Sequence, residues 1–156
     1  MASAKPKVGR GGSIRVQGAD GGLATTSSAG KPFSLALNGS FVTHFMDKAG
    51  MIDVDRVATM FRMTKGQLAE TAGLATATIS KTDRKASPRT QTRVTEMLEI
   101  ISRVREWAGG EAQAMAWYRS QPIPALDGRT SEALVKSGQA GAVRDYLDHM
   151  ALGGFA

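Results

Sequence analysis

The chain has 156 residues, no cysteine and a formal net charge of +6. This length allows one domain, or two small domains that share a core. The absence of cysteine excludes a disulfide framework and any thiolate metal site or nucleophile, and it suits a reducing cytoplasm. No apolar run approaches the roughly 20 residues of a membrane span, and no apolar segment follows the basic N-terminus as a secretory signal requires. We therefore expect a cytoplasmic protein without a membrane partner.

The positive charge is concentrated in the first part of the chain. Residues 1–90 contain 13 Lys and Arg against 6 Asp and Glu, whereas residues 91–156 contain 7 against 8. A cationic surface binds nucleic acid largely through counterion release. This distribution predicts that the first part meets nucleic acid and that the second part has another use.

The first 32 residues are rich in Gly, Ser and Ala and carry five basic side chains against one acidic side chain. Such a composition cannot build a core, so we predict a disordered basic arm over residues 1–32. The arm either adds loose phosphate contacts or only solubilises the chain. Residues 33–37 alternate like a short strand, and Ser40 can cap a helix that ends at Gly50.

The stretch from Lys65 to Lys85 predicts a helix-turn-helix. Ala69 is small enough for the close contact between two crossing helices, and Gly73 accepts the positive φ that the sharp turn needs. Three apolar residues then lock the two helices together: Leu68, Leu74 and Ile79. The alternative is an ordinary helical hairpin with a glycine turn.

The outward face of the second helix carries short side chains, which allow a helix to lie deep in a major groove. Hydroxyl groups can meet base edges there, and alanine can meet a thymine methyl group. We predict base contacts from Thr76, Ala77, Ser80 and Lys81. We predict phosphate contacts from Lys65, Arg84, Lys85 and Arg89.

The remaining pattern is helical, so the predicted fold class is all-α. Asp53 or Asp55 caps a helix before the helix-turn-helix, and Pro88 suits the first turn of a long helix that runs to about residue 108. Glu99 and Arg103 are predicted to form an i,i+4 ion pair on its outer side. Two glycines end this helix, and shorter helices follow, the last from about residue 140 to 152.

Ten residues beyond these glycines occur in a recognisable order: Trp117, Pro122, Leu126, Gly128, Thr130, Leu134, Gly138, Val143, Leu147 and Gly153. In this order they resemble the C-terminal toxin-binding domain of the Xre/MbcA/ParS antitoxins, which partner RES-domain toxins. The preceding part, residues 54–108, resembles the Xre-like helix-turn-helix domain of the same proteins. Ser131 stands where many members carry proline, and the first turn of a helix tolerates either residue. Residues 1–40 are not covered by the resemblance.

The resemblance implies a type II toxin–antitoxin pair. The RES toxin would consume NAD, either by degrading it or by transferring its ADP-ribose to a protein. The antitoxin would bind the toxin, cover its NAD site and repress its own operon by binding operator DNA. The chain would then be an inhibitor and not an enzyme, without a cofactor of its own. The implied organisation is a helix-turn-helix DNA-binding region at 33–108 and a toxin-binding domain at 109–156.

The final helix and the tail are the predicted toxin-binding surface. Interfaces favour Trp, Tyr, Met and Arg as anchors, and a glycine-containing tail can enter a narrow cleft. The predicted contacts are Trp117, Tyr118, Arg144, Tyr146, Asp148, His149, Met150, Gly153, Gly154, Phe155 and Ala156. The terminal carboxylate would meet a cation that otherwise binds cofactor phosphate. Alternatively, Phe155 folds back onto the core of this chain and the carboxylate is solvated.

Other chemistry is weakly indicated. His149 lies near Asp145 and Asp148, but no second histidine is close in sequence, so a surface pair is expected and not a metal site. The sequence has no P-loop, dinucleotide fingerprint or nucleophile motif, and no catalytic residue is predicted. A homodimer is expected, because one short recognition helix reads few bases and palindromic half-sites match two-fold symmetry. Two rival functions stay open: a free-standing repressor with a dimerising C-terminal half, and an inhibitor whose helix-turn-helix no longer reads DNA.

Overall fold

The computed structural model describes residues 39–153, and these residues are mostly helical with one very small sheet. The predicted all-α class is therefore confirmed. The predictions for the basic arm at 1–32, for the short strand at 33–37 and for Gly154, Phe155 and Ala156 fall outside the described residues. Within the described part, no helix combines the length and the apolar character needed to cross a membrane.

Five labelled helices lie between residues 54 and 108, and the fifth is the long central helix. Residues 39–43 are helical, and the helices that follow are α1 Val54–Met60, α2 Lys65–Thr71, α3 Thr76–Ser80, α4 Thr82–Lys85 and α5 Pro88–Ala108. Asp53 is the cap of α1, since its carboxylate accepts hydrogen bonds from the backbone N–H groups of Asp55 and Arg56. The helix α5 ends at Gly109 in the left-handed conformation.

The C-terminal part combines helices with a hairpin that the sequence did not predict. Its elements are α6 Glu111–Ser120, β1 Pro122–Ile123, a 3₁₀ turn Pro124–Leu126, β2 Arg129–Thr130, α7 Ser131–Lys136 and α8 Ala140–Ala151. The strands are antiparallel, with Pro122 opposite Thr130. Each strand has only two residues, which are too few for the alternating pattern that predicts a strand to appear in the sequence.

The two predicted regions share one hydrophobic core. The helix α5 lies at its centre and packs against α6, α7 and α8. Its fully buried side chains include Val94, Met97, Leu98, Ile101 and Val104. Burying each such side chain contributes about 1.5–3 kcal/mol, so α5 fixes the positions of the surrounding helices.

The helix-turn-helix lies directly against the C-terminal part. A Cβ atom on Gly73 would lie only 3.0 Å from Cα of Lys136, at the end of α7. Gly73 also has a φ of +74°, which favours glycine. Arg93 on α5 donates a hydrogen bond of 2.7 Å to the carbonyl of Val135. These contacts hold α7 between the turn of the helix-turn-helix and α5.

Candidate nucleic-acid and partner interfaces

The helix-turn-helix geometry forms as the spacing predicts. Thr64 and Gln67 make a reciprocal capping box at the start of α2, with bonds of 2.9 and 3.1 Å. The N–H of Leu74 donates to the carbonyl of Ala69 over 2.7 Å, which closes the turn. The predicted contact residues between the helices are buried: Leu68, Ala69, Leu74 and Ile79.

The face of α3 that was predicted to read bases is exposed. Thr76, Ala77 and Ser80 are all accessible, and so is Lys81. However, α3 has only five residues, and the extended backbone of Lys81 separates α3 from α4. Lys81 therefore lies at the junction of two short helices and not on the last turn of one helix.

The four predicted phosphate-binding cations differ in their surroundings. Arg84 and Arg89 are exposed. Lys65 and Lys85, by contrast, both bind the carboxylate of Asp55: Nζ of Lys65 lies 3.1 Å from Oδ1, and Nζ of Lys85 lies 2.7 Å from Oδ2. The hydrogen bonds from Lys85 and then Lys65 hold the pKa of Asp55 below its ordinary value, and the same contact raises the pKa of Lys85.

Gln91 fixes the end of α4, a role that sequence reasoning missed. Its side-chain N–H groups donate to the carbonyls of Lys85 at 2.9 Å and Ile52 at 3.1 Å. Its side-chain oxygen accepts from the N–H of Ile52 at 2.7 Å. Gln91 thus ties the backbone of Lys85 to α5. No sequence motif marks such a residue, since its partners lie 6 and 39 positions away.

Tyr118, one of the predicted toxin contacts, packs inside the hydrophobic core in this structure. Its side chain is fully buried, and its hydroxyl donates to the carbonyl of Thr71 over 3.1 Å. The neighbouring Trp117 is half-buried and meets Trp107 edge to face, with ring centroids 5.6 Å apart. Trp107 is 61% exposed, and it lies on the long helix, outside the toxin-binding region that the sequence predicts.

Two ion pairs join α5 to α8, and the two helices run in the same direction. Arg144 binds Glu99 at 2.8 Å, and Arg103 binds Asp148 at 2.7 Å. The predicted Glu99–Arg103 ion pair was wrong: Arg103 donates to the backbone carbonyl of Glu99, and each side chain finds its ionic partner on α8. Arg144 and Asp148, both predicted toxin contacts, therefore already have partners within the chain.

The register of these ion pairs predicts that exposed apolar side chains lie at the C-terminal ends of α5 and α8. Both ion pairs join residues 45 positions apart, and the next step along each helix, about 6 Å further, reaches Trp107 on α5 and Leu152 after α8. Leu152 is 72% exposed. We call Trp107, Trp117 and Leu152 the apolar end. Gly153 follows there with a φ of +87°, so the chain leaves the helix at this surface.

The other predicted partner contacts lie along α8. His149 is exposed, whereas Tyr146 and Met150 are half-buried, and Tyr146 packs against the core. No group of three or more His, Asp and Glu side chains within residues 39–153 could hold a metal ion. What this end of the molecule offers a ligand is apolar area from the indole rings and Leu152.

Residues 103–153 match a family model, that of the antitoxin Xre/MbcA/ParS C-terminal toxin-binding domain. The match confirms the resemblance for the C-terminal part of the chain. It begins within α5 and ends at Gly153, so it contains all three residues of the apolar end, and it does not cover the helix-turn-helix. No curated protein and no solved structure matches the chain.

Proposed function

We propose that this chain is the cytoplasmic antitoxin of a type II pair, because residues 103–153 match the toxin-binding domain of the Xre/MbcA/ParS antitoxins. The partner in this proposal is a RES-domain toxin that consumes NAD as a hydrolase or an ADP-ribosyltransferase. The chain itself acts as an inhibitor and not as an enzyme. The supporting observation is that the matched region contains all three residues of the apolar end.

The proposed inhibition places this surface over the NAD site of the toxin. Buried aromatic anchors dominate the binding energy of protein interfaces, and the apolar end offers two indole rings and a leucine. Residues 153–156 follow directly and bring two glycines and Phe155, which fit a narrow cleft. His149 and Met150 on α8 add contacts beside it. NAD hydrolysis and ADP-ribosyl transfer would both stop, because each requires NAD to enter the covered site.

Two of the predicted toxin contacts have another role in this proposal. Arg144 and Asp148 pair with Glu99 and Arg103, so they align α8 with α5. They therefore position the apolar end without needing to touch the toxin.

The helix-turn-helix supports the second half of the proposal, which is repression of the operon by operator binding. The outward face of α3 provides Thr76, Ala77 and Ser80 for base edges, and Arg84 and Arg89 are free to meet phosphates. A homodimer would place two such helices on a palindromic operator.

The same helix-turn-helix also supports a second candidate function. Its geometry is complete although the family match does not cover it. The chain could thus serve as a free-standing repressor whose C-terminal half dimerises. This candidate requires operator binding but no toxin.

The test is co-purification with a RES-domain toxin, followed by measurement of NAD consumption by that toxin. We expect a stable complex and loss of NAD consumption at a slight excess of this chain. The Phe155→Ala variant should inhibit less well. Arg89→Ala, the control, changes a proposed DNA contact and should inhibit fully. A toxin that stays active at large excess of the chain would leave only the free-standing repressor.

A further inference from the structure

We propose that Asp55 competes with DNA phosphates for Lys65 and Lys85. In the free protein its carboxylate binds both lysines and so weakens the binding of the chain to the phosphate backbone of DNA. This inference rests on the proposed DNA-binding function. It concerns a residue that neither the helix-turn-helix pattern nor the family match assigns to DNA binding.

The position of the carboxylate supports a role at the DNA surface. Lys65 opens α2, and Lys85 closes α4, so the two lysines flank the reading helix α3 along the chain. The first turns of α2 and α3 are close in space, because a Cβ on Gly66 would lie 3.2 Å from Cγ2 of Thr76. Asp55, on the neighbouring helix α1, reaches both lysines, one with each oxygen.

Stability alone does not explain this arrangement. The cap of α1 is Asp53, so the Asp55 carboxylate is not needed to start the helix. Its side chain is 52% exposed, and ion pairs at such a surface contribute only about 0–1 kcal/mol. The carboxylate does, however, present to the two lysines the same pair of anionic oxygens that a DNA phosphate would present.

The competition has a measurable electrostatic consequence. An approaching phosphate must displace Asp55 or lie beside its negative charge. Asp55, Lys65 and Lys85 together bring a net charge of about +1 to the duplex, whereas two free lysines would bring about +2. Removing the carboxylate should add about one effective phosphate contact.

The test uses the full chain and a labelled duplex of random sequence, with affinity measured between about 50 and 200 mM salt. We expect Asp55→Asn to bind about tenfold more tightly at the low-salt end and to steepen the slope of log affinity against log salt by about one. Asp55→Ser should behave alike. Glu106→Gln, which removes one exposed negative charge from the far end of α5, is the matched control and should change binding much less.

Each alternative result identifies what has failed. Equal or weaker binding by both Asp55 variants, while the unsubstituted chain binds, overturns the competitor role and leaves DNA binding intact. If no form binds the duplex, the DNA-binding function itself fails and this inference fails with it. Unfolding of both variants in circular dichroism would show that the carboxylate serves the fold, which also overturns the proposal.

Nuclear magnetic resonance gives a second readout that a purely structural ion pair would not produce. The Asp55 carboxyl titrates below its ordinary pKa because of the two lysines. Adding the random duplex should raise this pKa, since phosphates then take the lysines away. An unchanged Asp55 titration in the DNA-bound chain would contradict the displacement.

Discussion

The Tyr118 hydroxyl donates a hydrogen bond of 3.1 Å to the backbone carbonyl of Thr71, and both side chains are buried. Thr71 ends α2 of the helix-turn-helix, whereas Tyr118 lies on α6 within the family match. Burial raises the pKa of the Tyr118 hydroxyl above its ordinary value of 10.0, so the group stays protonated and remains a donor. One buried hydrogen bond thus joins the helix-turn-helix to the region that the family model matches.

Replacing Tyr118 with phenylalanine should lower the free energy of unfolding by about 1–3 kcal/mol, because the carbonyl of Thr71 loses its buried donor. The pH dependence should change as well. The folded state holds the proton more tightly than the unfolded state, so stability is full below the ordinary pKa of 10.0 and falls as the pH rises above it. Urea titrations at neutral and alkaline pH measure both effects. An alkaline loss of equal size in Tyr118→Phe would contradict this assignment.

Gly73→Ala should destabilise the chain by about 1–3 kcal/mol and weaken DNA binding. The new Cβ would be strained at a φ of +74° and would meet Cα of Lys136 at 3.0 Å. Gly141→Ala is the matched control, since Gly141 lies inside α8 with nothing within 4 Å of its added Cβ. Gly141 is the second residue of α8, so that variant should gain at most the roughly 0.5–1 kcal/mol that applies in the middle of a helix. Thermal unfolding of the pair checks the contrast, and equal effects would refute it.

Trp107→Ala should weaken toxin binding by about 2 kcal/mol or more, which is roughly a thirtyfold loss, if the apolar end is the anchor of the interface. The free energy of unfolding should fall by only about 0.5–1.5 kcal/mol, because the indole is mostly exposed and loses chiefly its edge-to-face contact with Trp117. Met60→Ala removes another exposed apolar side chain, which is 39% accessible on α1, and should leave toxin affinity unchanged. Calorimetric titration of both variants with the toxin distinguishes them, and similar losses would argue against the apolar end.

Reversing the charges of the Glu99–Arg144 ion pair distinguishes a residue that positions α8 from one that contacts the toxin. Arg144→Glu alone should misalign α8 and reduce inhibition. The double variant Glu99→Arg with Arg144→Glu restores the pair in reversed order and should recover most of it. The expected coupling in stability is about 0.5–1 kcal/mol, since both side chains are partly exposed. If the double variant inhibits no better than the single variant, Arg144 contacts the toxin directly.

The proposed division between base reading and phosphate binding predicts two different DNA phenotypes. Arg89→Ala should weaken binding to every duplex and flatten the salt slope by about one. Thr76→Ala should instead change the preference between operator sequences by about 1–3 kcal/mol while leaving the salt slope unchanged. Fluorescence anisotropy on specific and random duplexes measures both quantities. Equal losses on all DNA from both variants would refute the division.

Much of the fold could be predicted because the relevant signals are local. The capping box at Thr64, the proline at the start of α5 and Gly109 at its end each act within one turn of chain. The buried face of the helix-turn-helix follows in the same way from helical periodicity.

The sites were less predictable because they depend on contacts between distant segments. The spacing rule predicted a Glu99–Arg103 pair, but α8 offers each side chain a better-placed partner. Asp55 was considered only as a helix cap, and its two lysines lie 10 and 30 positions away. Tyr118 shows the same limit: aromatic residues suit both interfaces and cores, and only the packed structure places this one in the core.

The proposed antitoxin role is tested most directly by NAD consumption of the cognate RES toxin, titrated with this chain and with Trp107→Ala. We expect the unsubstituted chain to abolish consumption near equal concentration, and the variant to require a many-fold excess. Undiminished consumption at large excess of the unsubstituted chain would contradict the proposed function.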